Sequence, residues 1–154
     1  MQTFNGKTAL ITGASSGIGD QMARQLAAMG CNLILVARRT DRLDTLAREL
    51  RTVTVDVITA DLADPQAADA VYEQTRALGR QVDILINNAG FGFQKSMLAL
   101  PMREQLGMVD VNVCSLLVLT QSFTAPMVQR GQGWVLNVSS VSAWFPIPGM
   151  ATYA

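Results

Sequence analysis

Apolar positions along this chain switch between two periods. Short continuous apolar runs at residues 8–11, 32–37, 82–86 and 134–138 read as strands covered on both faces, and a Val-, Thr- and Ile-rich stretch at 52–60 reads as a fifth. Between them, apolar residues recur at helical spacing. Ile18, Met22, Ala23, Leu26 and Ala27 mark a helix over 20–29, and Leu43, Leu46, Ala47 and Leu50 mark a second, with Arg42, Arg48 and Arg51 outward. Asp64 and Pro65 supply an N-cap and an N1 proline for a third, with Ala68, Val71, Tyr72, Thr75 and Leu78 inward and Gly79 as its stop. A long helical region follows over 101–130. Its apolar residues, Leu106, Val109, Val113, Leu116, Leu117, Thr120 and Phe123, are dense enough for burial on two sides, and Pro126 is expected to bend it near its end. Strands alternate with helices and no hairpin signal appears. The pattern predicts an α/β fold with a doubly wound parallel sheet, right-handed crossovers, strand order 3-2-1-4-5 and one domain over residues 1–154.

Composition narrows the chemistry. With 49% hydrophobic and 16% charged residues, the 154-residue chain is expected to bury an ordered core. Twelve acidic side chains balance twelve basic ones and no basic run is present, so a nucleic-acid partner is not expected. No uninterrupted apolar run approaches the roughly 18 residues of a membrane span, and the N-terminus lacks a signal-peptide pattern. The expectation is a cytoplasmic chain with no membrane partner. The absence of histidine excludes Ser–His–Asp and Cys–His catalysis within the chain. Cys31 and Cys114 stand alone in apolar surroundings, which predicts two buried thiols and no metal site.

Candidate chemistry begins at Thr12-Gly13-Ala14-Ser15-Ser16-Gly17-Ile18-Gly19, between the first strand and the first helix. A glycine-rich turn in that place points backbone N–H groups and a helix N-terminus at a phosphate. Gly13 allows a tight turn off the strand, Gly17 lets a pyrophosphate come close, and Gly19 lets helix pack on strand. At the end of the second strand, an acidic side chain would accept from a bare ribose 2′-OH, whereas an arginine would bind a 2′-phosphate. Here Ala37 is followed by Arg38 and Arg39. That pair points to NADP(H) over NAD(H), with Arg38 as the principal phosphate contact and Arg39 second.

Further motifs line up in order, and with them the sequence resembles the short-chain dehydrogenase/reductase family. They are Gly13-x-x-x-Gly17-x-Gly19, Asp61-Leu62 after the third strand, Asn87-Asn88-Ala89-Gly90 after the fourth, Asn112 within the long helical region, Ser139-Ser140 at the end of the fifth strand, and Tyr153 thirteen residues beyond Ser140. The resemblance covers essentially the whole chain and implies a Rossmann-type dinucleotide-binding domain. It implies that Ser15, Ser16 and Ile18 join the three glycines at the cofactor, that Asp61 and Leu62 lie against the adenine, and that Asn88, Ala89 and Gly90 line the cofactor cleft. It further implies that Ser140 orients a substrate carbonyl, Tyr153 is the acid/base and Asn112 holds a water in a proton relay. The expected partner is a small carbonyl or alcohol substrate, and the whole protein is expected to be a homo-oligomer.

In the family a lysine four residues after the tyrosine lowers its pKa and binds the nicotinamide ribose. The last residue, Ala154, directly follows Tyr153. The chain therefore reads as such a domain without that lysine, its helix and the sixth and seventh strands: the N-terminal part of a longer protein or a truncated piece of one, in preference to a naturally shortened member. The expected function is NADP(H)-dependent carbonyl/alcohol interconversion, with negligible turnover by the 154-residue piece. The alternative is a non-catalytic dinucleotide sensor of the same fold. Phe91, Phe93, Trp144, Phe145, Pro146 and Ile147 are candidates for an apolar substrate wall or for loop packing.

Overall fold

The computed structural model describes residues 4–145 and 147–154. Five parallel strands, β1 (Thr8–Thr12), β2 (Asn32–Ala37), β3 (Val55–Thr59), β4 (Ile84–Asn87) and β5 (Trp134–Asn137), lie in the order β3-β2-β1-β4-β5. This is the predicted order. Central β1 is buried at every position, which is why its sequence is apolar without alternation.

Successive side chains of each strand point to opposite faces, so the sheet divides the core in two. On one face, Leu10, Ile34, Val36, Ile58 and Leu85 pack with Val71 of α3 (Ala67–Ala77) and with Leu119, Phe123 and Met127 of α5 (Ser115–Arg130). On the other, Ala9, Ile11, Leu33, Leu35, Ile84 and Ile86 pack with Ala23 and Ala27 of α1 (Gly17–Ala28) and with Leu43 and Leu46 of α2 (Thr40–Glu49).

Several local expectations are corrected. β3 is shorter than predicted because residues 51–53 form turn and bend. Asp64 caps a turn, not α3: its Oδ1 accepts from Gln66 N at 2.9 Å, and the helix starts two turn residues later. Leu78 is 44% exposed because α3 ends at Ala77 and Leu78 falls off its buried stripe. The helical region is interrupted upstream of Pro126. It comprises α4 (Met102–Val109), a π-helical turn at Asp110–Cys114, and α5, which carries Pro126 inside it.

The buried stripe of that region runs Met108, Val111, Ser115, Leu119, Phe123 and Met127. Cys114 lies one position off the stripe and is exposed, unlike Cys31, whose burial pushes the thiol up to about 11 and leaves it inert. Leu106, Val113 and Leu117 are more than half exposed, so burial on two sides is not found among the described residues: only one side of the helix meets the sheet and α3. Met102–Arg130 is nevertheless long and apolar enough, by length and composition, to cross a membrane. A search for uninterrupted apolar runs misses this because single polar residues break the run.

Candidate active site

β1 delivers the chain to the glycine turn. Gly13 has φ +68°, which favours glycine, and a Cβ there would lie 2.9 Å from Ala89 Cα. Ser16 is extended, and its side chain makes no capping bond to α1. Gly17, at φ +60°, opens the helix, and a Cβ there would meet nothing within 4 Å. Gly19 is the opposite case, because its Cβ would fall 2.5 Å from Gly13 O and 2.6 Å from Asn88 Nδ2. One glycine therefore fronts open space and the other closes the turn against its neighbours. α1 begins at Gly17, three residues earlier than predicted, so its first turn projects past the strand ends and leaves Ile18 58% exposed.

Thr12 is the residue that sequence reasoning missed here. Its buried hydroxyl donates to Ile86 O and accepts from Asn88 N at 3.0 Å and Ala89 N at 2.9 Å. Asn88 Nδ2 returns a bond to Thr12 O at 2.8 Å. The glycine turn and the Asn87-to-Gly90 corner are thereby locked together across 76 residues of chain.

At the end of β2 the two arginines diverge. Arg39 donates to Ser15 Oγ at 3.0 Å and Ser16 Oγ at 2.7 Å, placing its guanidinium on the glycine turn. Arg38 reaches across to Asp61, 3.9 Å away, in an exposed pair that water screens. Asp61 also accepts from Ala63 N at 3.2 Å, and Leu62 beside it is buried.

At the end of β4, Asn87 Nδ2 donates at 2.9 Å to Thr120 Oγ1 and to Asn137 Oδ1, its register partner on β5. Asn112 sits in the π-turn, and its amide is taken up by one loop residue: Oδ1 accepts from Phe91 N at 3.1 Å and Nδ2 donates to Phe91 O at 2.9 Å. The side chain thus clamps the loop after Gly90.

Ser140 follows β5. Its Oγ accepts from Ser142 N at 3.2 Å and from the buried Ser142 hydroxyl at 2.8 Å. With its oxygen accepting twice, its own proton is free to be donated. Ser139 is exposed.

One cleft of about 710 Å³ joins these pieces. Gly13, Ser15, Ser16, Ile18, Arg38, Arg39, Asp61, Leu62, Asn88, Ala89, Gly90, Asn112, Ser140 and Tyr153 all line it; Gly17 and Gly19 shape the turn beside it. Of the aromatic candidates only Phe91 lines this cleft. Trp144 is 83% exposed, Phe145 is 68% exposed, and Pro146 lies outside the described residues. The structure also shows Gln105 as a missed support: buried, it binds Met97 O, Leu100 O and the Thr152 hydroxyl next to Tyr153.

The phosphates of a nicotinamide dinucleotide fit the glycine-turn end of this cleft. The backbone at Gly17 faces open space at a helix N-terminus, and the Arg39 guanidinium stands on two serine hydroxyls while Arg38 lines the same cleft nearer Asp61.

Residues 7–154 match the sequence profile described as short chain dehydrogenase. A "Dehydrogenase/reductase SDR family protein 7-like" from Drosophila melanogaster is 36% identical over 155 residues, covering 97% of this chain and 48% of that protein. Among solved structures, the bulky-bulky ketone specific alcohol dehydrogenase from Comamonas testosteroni aligns with a TM-score of 0.90 and 39% identity, covering 97% of this chain and 61% of that one. A short-chain dehydrogenase from Sphingobium yanoikuyae in complex with NADPH gives a TM-score of 0.89 and 38% identity, covering 96% and 58%. The chain spans about half the length of the curated relatives it matches. Its sheet order, its glycine turn and the match over residues 7–154 together make it a member of the short-chain dehydrogenase family.

Proposed function

We propose that these residues form the dinucleotide-binding part of an NADP(H)-dependent oxidoreductase that interconverts a carbonyl and an alcohol. The observation that carries this reading is the continuity of one cleft from Arg39, on the glycine-turn serines, to Ser140 and Tyr153. Bound there, the nicotinamide cofactor supplies or accepts a hydride.

The chain's own groups do the rest. Ser15, Ser16, Arg38 and Arg39 hold the 2′-phosphate, and the α1 N-terminus with the Gly13 and Gly17 backbone receives the pyrophosphate. Asp61 and Leu62 line the cleft where they would border the adenine, and Asn88, Ala89 and Gly90 line it where they would form the cofactor's floor. Ser140, with both acceptor positions filled by Ser142, donates its proton to the substrate oxygen and fixes the carbonyl. Tyr153 gives that oxygen a proton on reduction and takes it back on oxidation. Asn112 holds the Phe91 loop in place through its amide.

The test is a titration of wild type and Arg38→Asp with NADPH and NADH, run beside a turnover assay. Losing one charge-assisted bond and gaining a repulsion is expected to shift relative affinity toward NADH by about 10-fold or more. Unchanged relative dissociation constants would count against the cofactor reading. Catalytic NADPH oxidation by these residues alone, with a panel of ketones and aldehydes, would overturn the expected lack of turnover.

A further inference from the structure

Gly92 has no evident need to be glycine. It does not adopt a positive φ, and it is exposed, so neither backbone conformation nor core packing requires it. What it leaves room for is a ring: a Cβ at position 92 would lie 2.5, 2.8 and 2.9 Å from Cδ2, Cγ and Cε2 of Tyr153. These atoms belong to a rigid aromatic plane with no flexible end to yield. Gly133 is crowded by a different neighbour, since its Cβ would lie 2.5 Å from Cγ and Sδ and 2.6 Å from Cβ of Met127.

Both sides of the contact are braced. On the loop side, Asn112 clamps Phe91 N and O, and Phe93 stacks edge-on against Phe91 with centroids 5.6 Å apart. On the tyrosine side, Lys95 N donates to Gly149 O at 2.7 Å, Thr152 Oγ1 donates to Gln105 at 2.9 Å, and Tyr153 N donates to Met150 O at 2.9 Å. A methyl group at position 92 therefore forces a shift at this contact, and the bracing of the Phe91 loop directs that shift to the ring.

We infer that Gly92 is the seat of the Tyr153 ring, a positioning residue that sets where the phenol stands in the cleft. The Asn112 clamp on Phe91 holds that seat in place. The inference rests on the reading of Tyr153 as the proton donor. Ordinary contact begins at 3.4 Å, so alanine would push the ring by about 1 Å, a displacement that can cost a catalytic group about 10²-fold in rate.

The chain has two tyrosines, so Tyr72→Phe leaves Tyr153 as the single reporter. In that background, the ring resonances of labelled tyrosine are expected to shift in Gly92→Ala and to stay in place in Gly133→Ala. Unshifted resonances in Gly92→Ala would overturn the inference. If Gly92→Ala instead prevents folding, adding Tyr153→Ala is expected to restore the urea midpoint to that of Tyr153→Ala alone. A loss that persists without the ring would equally overturn it. Neither readout uses cofactor or turnover, so failure of the seat and failure of the oxidoreductase reading are separate results.

Discussion

The two ends of the cleft are built differently. The phosphate end rests on β1 and β2, which lie inside the sheet with neighbours on both edges and helices on both faces. Thr12 and Asn88 cross-link it to the end of β4 through half-buried bonds. The reacting end hangs from β5, the edge strand, whose Val135 and Leu136 are 39% and 45% exposed. Beyond β5 its geometry depends on a few long-range contacts: Gln105 with Thr152, Lys95 with Gly149, and Gly92 with the Tyr153 ring. The glycine-turn end is thus held by the interior of the sheet, while the Ser140–Tyr153 end rests, among the described residues, on a small set of separable contacts.

The sharpest way to break the phosphate end is Thr12→Val. It keeps the shape but removes the acceptor for two half-buried backbone N–H groups, each worth about 1–3 kcal/mol when left unpaired away from water. Urea denaturation is expected to show a loss of about 3 kcal/mol, with NADPH affinity falling as well. A stability change under about 0.5 kcal/mol, the range of ordinary surface substitutions, would deny Thr12 its role as the cross-link.

A smaller effect is expected at the other end. Gln105→Leu removes the bonds to Met97 O, Leu100 O and Thr152 Oγ1. Because leucine fills the buried space, the expected cost is about 1–2 kcal/mol, and the NADPH dissociation constant is expected to stay within about twofold of wild type. A large fall in NADPH affinity would show that the two ends are coupled, contrary to the contrast drawn above.

The contrast also marks what was legible in the sequence. The strand order and the place of the glycine turn survive into the structure, whereas the arginine pair, expected with Arg38 first, diverges, Arg39 onto the turn serines and Arg38 toward Asp61. The turn conformation of Gly13 and Gly17 could be anticipated from the strand and helix that adjoin them, but the crowding at Gly13 and Gly19 owes as much to Asn88 and Ala89, far along the chain. Thr12 could not, since its hydroxyl matters only once Asn88 and Ala89 arrive from far along the chain. Gly92 is the same case with Tyr153, and Gln105 with Thr152. The π-turn at Asn112 leaves the apolar periodicity nearly intact, so it carries no hydrophobic signature. Leu78 and Cys114 were misplaced for a simpler reason, each standing one position beyond a buried stripe whose end or phase the sequence does not mark.

The central claim is that the phosphate end is a self-sufficient site selective for a 2′-phosphate. Calorimetric titration with 2′,5′-ADP and 5′-AMP tests it directly, because both carry the adenosine and neither carries the nicotinamide. Two charge-assisted contacts from Arg38 and Arg39 predict that 2′,5′-ADP binds about 10-fold or more tightly and is displaced by NADPH. Equal affinity for the two nucleotides, or no binding of either, would contradict it.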